Sequence, residues 1–319
     1  MTFPPLPDSL RLSRLLPPTG PVRMVLDTDT YNEIDDQFAL VWALLSPEKL
    51  LMEAIYAAPF HNARSDGPGD GMERSYDEIH RLLDRLPGVY NGPVLRGSTE
   101  FMQTADRPVE SDAAADLVER AMASSDDDPL YVVAIGAPTN VSSALLLQPR
   151  IVERIVLVWL GGHPTFWPTA REFNLRQDLH ASRLLYDCGA PFVMLPCATV
   201  ASHLLATVPE LEAYVAGRGA IGDFLVETFK GYSDDHFGWS KEIWDLAPIA
   251  WLLNSDWTPS VLEHSPILTD QMTWSSDRSR HLMRIATAVR RNPIFADLFR
   301  KLAAFAEKRE ILVNTDWKE

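Results

Sequence analysis

Along the first two-thirds of the chain, short apolar runs bounded by turn residues alternate with longer stretches in which apolar residues recur every three or four positions. The runs at 23–26, 51–57, 130–135, 155–160 and 192–195 read as buried parallel strands, and the stretches 72–86, 112–123, 141–147 and 179–187 as crossover helices. This alternation predicts an α/β fold: a doubly wound, mostly parallel sheet flanked by helices. Past Pro196 the pattern becomes mainly helical, at 209–216, 221–229 and 245–253, followed by a two-stranded segment across 267–285 and a terminal helix over 293–308. The first twenty residues carry Pro4, Pro5, Pro7, Pro17 and Pro18 and read as an extended lead-in. No Gly/Ser linker, repeat or low-complexity tract divides the remainder, so the expected organisation is a lead-in over 1–20 and a single domain over 21–319.

Composition narrows the classes of partner. With 29 Lys and Arg against 44 Asp and Glu, the chain carries a formal charge of −15, and a nucleic-acid backbone would be repelled over most of the surface. No apolar stretch is long enough to span a bilayer, and the proline-rich start lacks the apolar core of a secretory signal. Two cysteines, Cys188 and Cys197, are too few for a disulfide framework and imply a reducing, cytoplasmic setting.

In an open parallel sheet, ligands bind beyond the carboxyl ends of the strands, which directs attention to the residues that follow each apolar run. The first run ends in Asp27-Thr28-Asp29, and six residues later Asp35-Asp36 opens a helix with the apolar face Phe38, Trp42 and Leu45. Asp35 and Asp36 suit a helix first turn and Asp27 suits a loop cap, but four carboxylates on one loop exceed what capping needs. Their mutual repulsion calls for protons or a cation. Oxygen-only ligands without nearby His or Cys pairs favour a hard ion, and Ca²⁺ tolerates irregular oxygen sets better than Mg²⁺.

The Asp27-Thr28-Asp29 and Asp35-Asp36 pair, followed by an apolar helix, resembles the amino-terminal signature of the inosine-uridine nucleoside hydrolase family. Further segments match in order: Ala58-Pro59-Phe60-His61-Asn62, Ala134 to Asn140, Gly161-Gly162-His163 with Glu172-Phe173-Asn174, and Trp244-Asp245-Leu246-Ala247. Together they cover roughly residues 22–253. The resemblance implies a calcium-dependent ribohydrolase and a homo-oligomer, dimer or tetramer. It implies calcium held by Asp29, Asp36, Asp245 and the Thr139 carbonyl, with Asp29 taking a proton from the attacking water. It places Asp35, Asn62, His163, Glu172 and Asn174 on the sugar and Trp244 beside the base, where an indole face could stack on a purine. Two departures stand out. Five residues, Thr30 to Ile34, separate Asp29 from Asp35 where the family has three, so Asn32 and Glu33 form an added bulge; and His163 and Trp244 replace the family's usual Asn and His.

Breaking a ribosyl N-glycosidic bond passes through an oxocarbenium-like state, for which carboxylates around the sugar and a water on the opposite face are suited. His61, His163 and His236 are candidates to protonate a leaving base, and the aromatic run 224–239 reads either as a lid over the base or as a packed surface loop. Two other readings remain open at this level: a calcium-dependent nucleoside or sugar binder without turnover, and a haloacid-dehalogenase-type phosphatase with Asp27 as nucleophile. The second would need a Lys after a later strand and a second acidic pair at a strand end.

Overall fold

The computed structural model describes residues 2–316, so the last three positions of the expected domain lie outside the described residues. In chain order its elements begin with α1 (Asp8–Arg14), β1 (Val22–Thr28), α2 (Asp35–Leu44), β2 (Leu50–Ala57), α3 (Pro68–Leu83) and β3 (Val94–Arg96). Next come α4 (Asp112–Ala123), β4 (Leu130–Ala134), α5 (Thr139–Leu147), β5 (Ile155–Leu160), α6 (Phe173–Gln177), α7 (Leu179–Asp187) and β6 (Phe192–Leu195). The carboxyl-side part comprises β7 (Leu205–Ala206), α8 (Val208–Tyr214), α9 (Gly219–Lys230), β8 (Lys241–Glu242), α10 (Leu246–Leu253), β9 (Ser260–His264), β10 (Ile267–Leu268), β11 (Trp274–Ser275), β12 (Leu282–Ala286) and α11 (Arg291–Asp316).

Strands β4, β5 and β6 are buried along their whole length, which is why they read as unbroken apolar runs rather than as alternation. Successive residues of β1 serve opposite faces. Met24 and Leu26 pack with Phe38 and Trp42 of α2 and Ile249 of α10, whereas Val25 packs with Leu117 of α4, Leu145 of α5 and Leu185 of α7. The sheet order is β3-β2-β1-β4-β5-β6-β12-β9, parallel except for the β12–β9 pair. The chain runs outward from β1 through β2 to β3 and then crosses to β4 on the other side of β1. The β1–β4 junction is therefore the switch point at which strand ends diverge and a crevice opens.

Besides the short α6, β7 and β8, for which the sequence reading has no counterpart, the structure departs from it as follows. Residues 8–14 form a helix, not an extended lead-in: no proline interrupts the stretch after Pro7, and Arg14 donates to the Glu153 carbonyl oxygen at 2.6 Å while Arg11 donates to that of Gly189. The two-stranded expectation across 267–285 divides, since β10 and β11 form a small hairpin while β12 joins the main sheet beside β6. Strands β3 and β9 escaped notice because each is short or solvent-facing; Val261 and Leu262 of β9 are exposed.

One side chain ties the carboxyl edge of the sheet together. Asn140, in the first turn of α5, donates through Nδ2 to Asp27 Oδ1 at 2.7 Å and to the Ala57 carbonyl at 3.2 Å. Its Oδ1 accepts from the Ser98 N–H at 2.7 Å and the Ser98 hydroxyl at 2.8 Å. Gly97 makes room for this junction: a Cβ there would fall 2.0 Å from the Ala57 carbonyl oxygen and 2.4 Å from the Asn140 amide nitrogen. Asn140→Leu keeps the volume but strands several buried partners, and should cost about 3 kcal/mol in urea unfolding; a loss below about 1 kcal/mol would show that the junction is not structural.

Candidate active site and metal centre

Beyond the switch point lies a cavity of about 340 Å³ lined by Asn32, Glu33, Asp35, Asp36, Ile135, Leu160, His163, Glu172, Phe173, Asn174, Cys197, Trp244 and Asp245. It draws on the ends of β1, β4, β5 and β6 and on the starts of α2, α6 and α10. One ligand oxygen each from Asp35, Asp36 and Asp245 falls within 4.8 Å of the others, and all three residues are buried. At that separation and an effective dielectric constant of ~20, each ionised pair repels by roughly 3 kcal/mol, so three pairs approach the whole stability of a domain. The carboxylates cannot all be charged without a counterion.

Their partners support the same conclusion. Both Asp29 carboxylate oxygens, Asp35 Oδ1, Asp245 Oδ1 and Asp27 Oδ2 are buried without a hydrogen-bond partner among the described residues. Asp29 packs against Gly136 so tightly that a Cβ at Gly136 would lie 3.0 Å from its Cγ. Asp36 is oriented by the Thr28 hydroxyl, which donates to its Oδ1. Burial, reinforced by Asp36, pushes the Asp35 carboxyl up to about 8; burial alone, opposed by the Thr28 hydrogen bond, holds Asp36 at about 7. Asp29 and Asp245 are raised well above the carboxylate range by burial and then by their acidic neighbours, while burial takes Asp27 to about 7 against its Asn140 hydrogen bond. Unpartnered oxygens converging from β1, α2 and α10 fit a divalent cation held by oxygen donors.

The other expected residues divide into groups. Glu172 caps α6 and accepts from the backbone N–H groups of Gly162 at 2.9 Å, Asn174 at 2.9 Å and Leu175 at 3.1 Å, so much of its carboxylate is already engaged. Asn174 donates from Nδ2 to the carbonyls of Ile135 and Leu160, both at 3.0 Å, which joins the ends of β4 and β5 and leaves its Oδ1 for the cavity. Nδ1 of His163 accepts from the Ala198 N–H at 3.3 Å, and burial lowers the ring's pKa, so the imidazole is neutral with its proton on Nε2. Trp244 is half-buried on the cavity wall.

Three expected residues lie off the lining: Thr139, Asn62, and Asp29, which is buried behind it against Gly136. Thr139 is the first residue of α5, with its hydroxyl donating to Asp178 at 2.9 Å. Asn62 donates to Asn32 Oδ1 at 2.7 Å instead of facing the cavity. His61 is exposed and His236 is bonded to the Lys230 carbonyl at 3.0 Å; neither lines the cavity. In the aromatic run, Phe229 is buried and stands 5.0 Å from Trp239, while Phe237 is almost fully exposed. Ile135, Leu160, Phe173 and Cys197 were not anticipated. Three of them sit at or just after the ends of β4, β5 and β6, where the rule about strand carboxyl ends could have located them.

A family model described as inosine-uridine preferring nucleoside hydrolase matches residues 24–296. The chain belongs to this family. Membership makes it an N-glycosidase of the nucleoside hydrolase class. Curated relatives include the pyrimidine-specific ribonucleoside hydrolase RihA of Enterobacter sp. (strain 638), 28% identical over 73% of this chain and 79% of its own length. RihA of Klebsiella pneumoniae (strain 342) is 29% identical over 73% of this chain and 80% of its own. Among solved structures, a plant nucleoside hydrolase superposes with a TM-score of 0.70 at 18% identity, covering 89% of this chain and 99% of that one. A purine-preferring ribonucleoside hydrolase from Gardnerella vaginalis gives the same score, identity and coverage. These neighbours share the fold of the nucleoside hydrolases, and the phosphatase alternative falls with the family assignment.

The cluster predicts a pH signature. Without a cation, Asp35 near 8 and Asp36 near 7 keep protons in the folded state that the unfolded chain, near 3.8, releases. Folding then takes up protons, so stability is greatest below about pH 4 as far as these groups contribute and is lost as pH rises through about 7 to 8. A divalent cation that replaces those protons, tested as calcium, should therefore raise Tm far more at about pH 8 than at about pH 5, with a chelator reversing the effect. Equal shifts at both pH values, read by scanning calorimetry, would contradict the cluster's role.

Proposed function

We propose that this nucleoside hydrolase cleaves purine ribonucleosides to free base and ribose with the help of calcium. The observation that carries the reading is the pair of buried, unpartnered Asp29 oxygens at the switch point, within electrostatic reach of Asp35, Asp36 and Asp245. Asp29, Asp36 and Asp245 would hold the ion. The backbone ligand expected from Thr139 is better supplied by Ile135: a carbonyl in the first position of a helix points along the axis toward the next turn, whereas Ile135 lines the cavity just beyond β4. When bound, calcium supplies positive charge that offsets the carboxylates and makes a water easier to deprotonate.

The rest of the chemistry belongs to the side chains. Asp29, with no hydrogen-bond donor of its own, is the group available to accept the proton of the attacking water. Asp35 and the free Oδ1 of Asn174 accept hydroxyl protons from the sugar, and the negative charge around the ring favours the cationic transition state. Leu160, Phe173 and Cys197 keep one side of the cavity apolar, which strengthens these interactions by excluding water. Trp244, next to Asp245, offers an indole face to the base, and a purine covers more of that face than a pyrimidine. The curated relatives are pyrimidine-specific by name, so base preference is the sharpest point of this reading.

The primary test measures reducing sugar released from inosine, uridine and other ribosides by calcium-loaded protein. Inosine is expected to be preferred in kcat/KM; a uridine preference would overturn the purine assignment, and no sugar from any riboside would favour a binding protein without turnover. Asp29→Ala should abolish turnover and reduce calcium stoichiometry measured by atomic absorption. Trp244→Ala should raise KM for inosine about tenfold while leaving kcat within a few-fold, as expected for a stacking contact worth on the order of 1 kcal/mol or more. Gel filtration with light scattering checks the proposed dimer or tetramer.

A further inference from the structure

The cavity is rich in hydrogen-bond acceptors and poor in donors. Five carboxylates line it, Glu33, Asp35, Asp36, Glu172 and Asp245, and each sugar hydroxyl that gives its proton to one of them keeps an oxygen in need of a donor. The side-chain donors on the lining are those of Asn32, His163, Asn174, Cys197 and Trp244. Asn174 has spent both amide hydrogens on the carbonyls of Ile135 and Leu160. A thiol is a weak donor, His163 carries a single Nε2 proton, and Trp244 presents its face to the base. The Asn32 amide is the principal uncommitted one.

Its orientation is fixed by the chain behind it. The Arg64 backbone N–H donates to Asn62 Oδ1 at 2.8 Å, which settles which end of the Asn62 amide is oxygen. Asn62 Nδ2 must then face Asn32 and donate to its Oδ1 at 2.7 Å. That in turn leaves Asn32 Nδ2 without a protein acceptor among the described residues, on a residue that lines the cavity. The neighbours of Asn32 are pinned on both sides. The Arg64 guanidinium lies 4.7 Å from the Tyr31 ring centre and hydrogen-bonds the Tyr232 hydroxyl at 2.6 Å, while Lys241 pairs with Glu33 and sits 4.8 Å from the Tyr232 ring centre. The Asn32 backbone N–H is itself held by the Asp29 carbonyl at 2.6 Å. The lengthened loop is thus braced by two cations that approach it from different elements.

We propose that Asn32 is a specificity-determining residue whose Nδ2 donates to a ribose hydroxyl oxygen, and that Asn62 is a positioning residue that acts through it. The inference rests on the ribonucleoside reading and deepens it: the two-residue enlargement between Asp29 and Asp35 puts a new amide in front of Asn62. The preferred substrate class is one with a full set of ribose hydroxyls, because a deoxy sugar leaves the Asn32 donor unpaired in a half-dry site.

The test uses calcium-loaded full-length protein and the variants Asn32→Ala, Asn32→Asp, Asn62→Ala and the Asn32→Ala/Asn62→Ala double variant. Two readouts are followed, KM and kcat for riboside hydrolysis and calorimetric binding of free ribose. Each Asn32 variant should weaken ribose binding and raise KM about tenfold with Tm little changed, since Asp keeps the size but has no amide hydrogens. Asn62→Ala should act in the same direction, and the double variant should be no worse than Asn32→Ala. Ribose binding at wild-type strength in either Asn32 variant would overturn the proposal, as would losses that multiply in the double variant, because Asn62 would then touch the sugar independently. Failure of hydrolysis with ribose binding intact would remove the catalytic reading and leave Asn32 decided by the binding series. Wild-type protein that neither hydrolyses ribosides nor binds ribose would overturn both.

Discussion

Repulsion among buried carboxylates governs the rest of the molecule. Asp35, Asp36 and Asp245 bring ligand oxygens together where water is largely excluded, and the buried Asp29 lies within electrostatic reach of all three. Such a cluster exists because other parts of the fold hold it in place: Thr28 orients Asp36, Gly136 lets Asp29 approach, and the α10 start delivers Asp245 from a point in the chain more than two hundred residues from Asp29. Among the described residues no arginine or lysine hydrogen-bonds the four acids; Lys241, which lies within electrostatic reach of Asp245, is paired with Glu33. A fold that withholds protein cations from buried acids keeps them available for an external one.

Polar side chains then build the frame around that vacuum of partners. Asn140 fastens β1 and β2 to α5, Asn174 fastens β4 to β5, and Glu172 fastens the turn at Gly162 to α6. Each uses hydrogen bonds that a sugar-binding residue would otherwise keep for ligand. Gly162 has a φ of 70°, in the left-handed region, so the backbone can turn there and aim its N–H at Glu172. The result is preorganisation: strand ends that would fray in an open parallel sheet are locked by side chains that also form the cavity wall.

Much of this was legible in the order of residues. Strands β5 and β6 and helices α4 and α7 follow the sequence reading to the residue, because continuous burial and helical spacing leave clear marks. Helix α1 was hidden by flanking prolines, and β9 by its position at the sheet edge, where exposure removes the apolar pattern. At the site, the acids and Trp244 were visible as residue types at strand and helix ends. Ile135 stands where the strand-end rule points, just past β4, but nothing in its apolar side chain marks it as a cavity residue rather than core. Nor could spacing reveal that Asn62 spends its amide on Asn32, since that contact exists only once β1 and β2 lie side by side.

The loop between Asp29 and Asp35 carries side chains into the cavity while both of its ends stay anchored. The Asp29 carbonyl accepts the Asn32 N–H, and Asp35 opens α2. Between these anchors Glu33 meets Lys241 and Tyr31 meets Arg64. The Lys241–Glu33 pair is part-buried, and together with the Arg64 guanidinium over Tyr31 it fixes a short loop whose entropy would otherwise oppose ligand binding. Changing the residue at the tip of such a braced loop would alter what the cavity presents while the acids behind it stay in place.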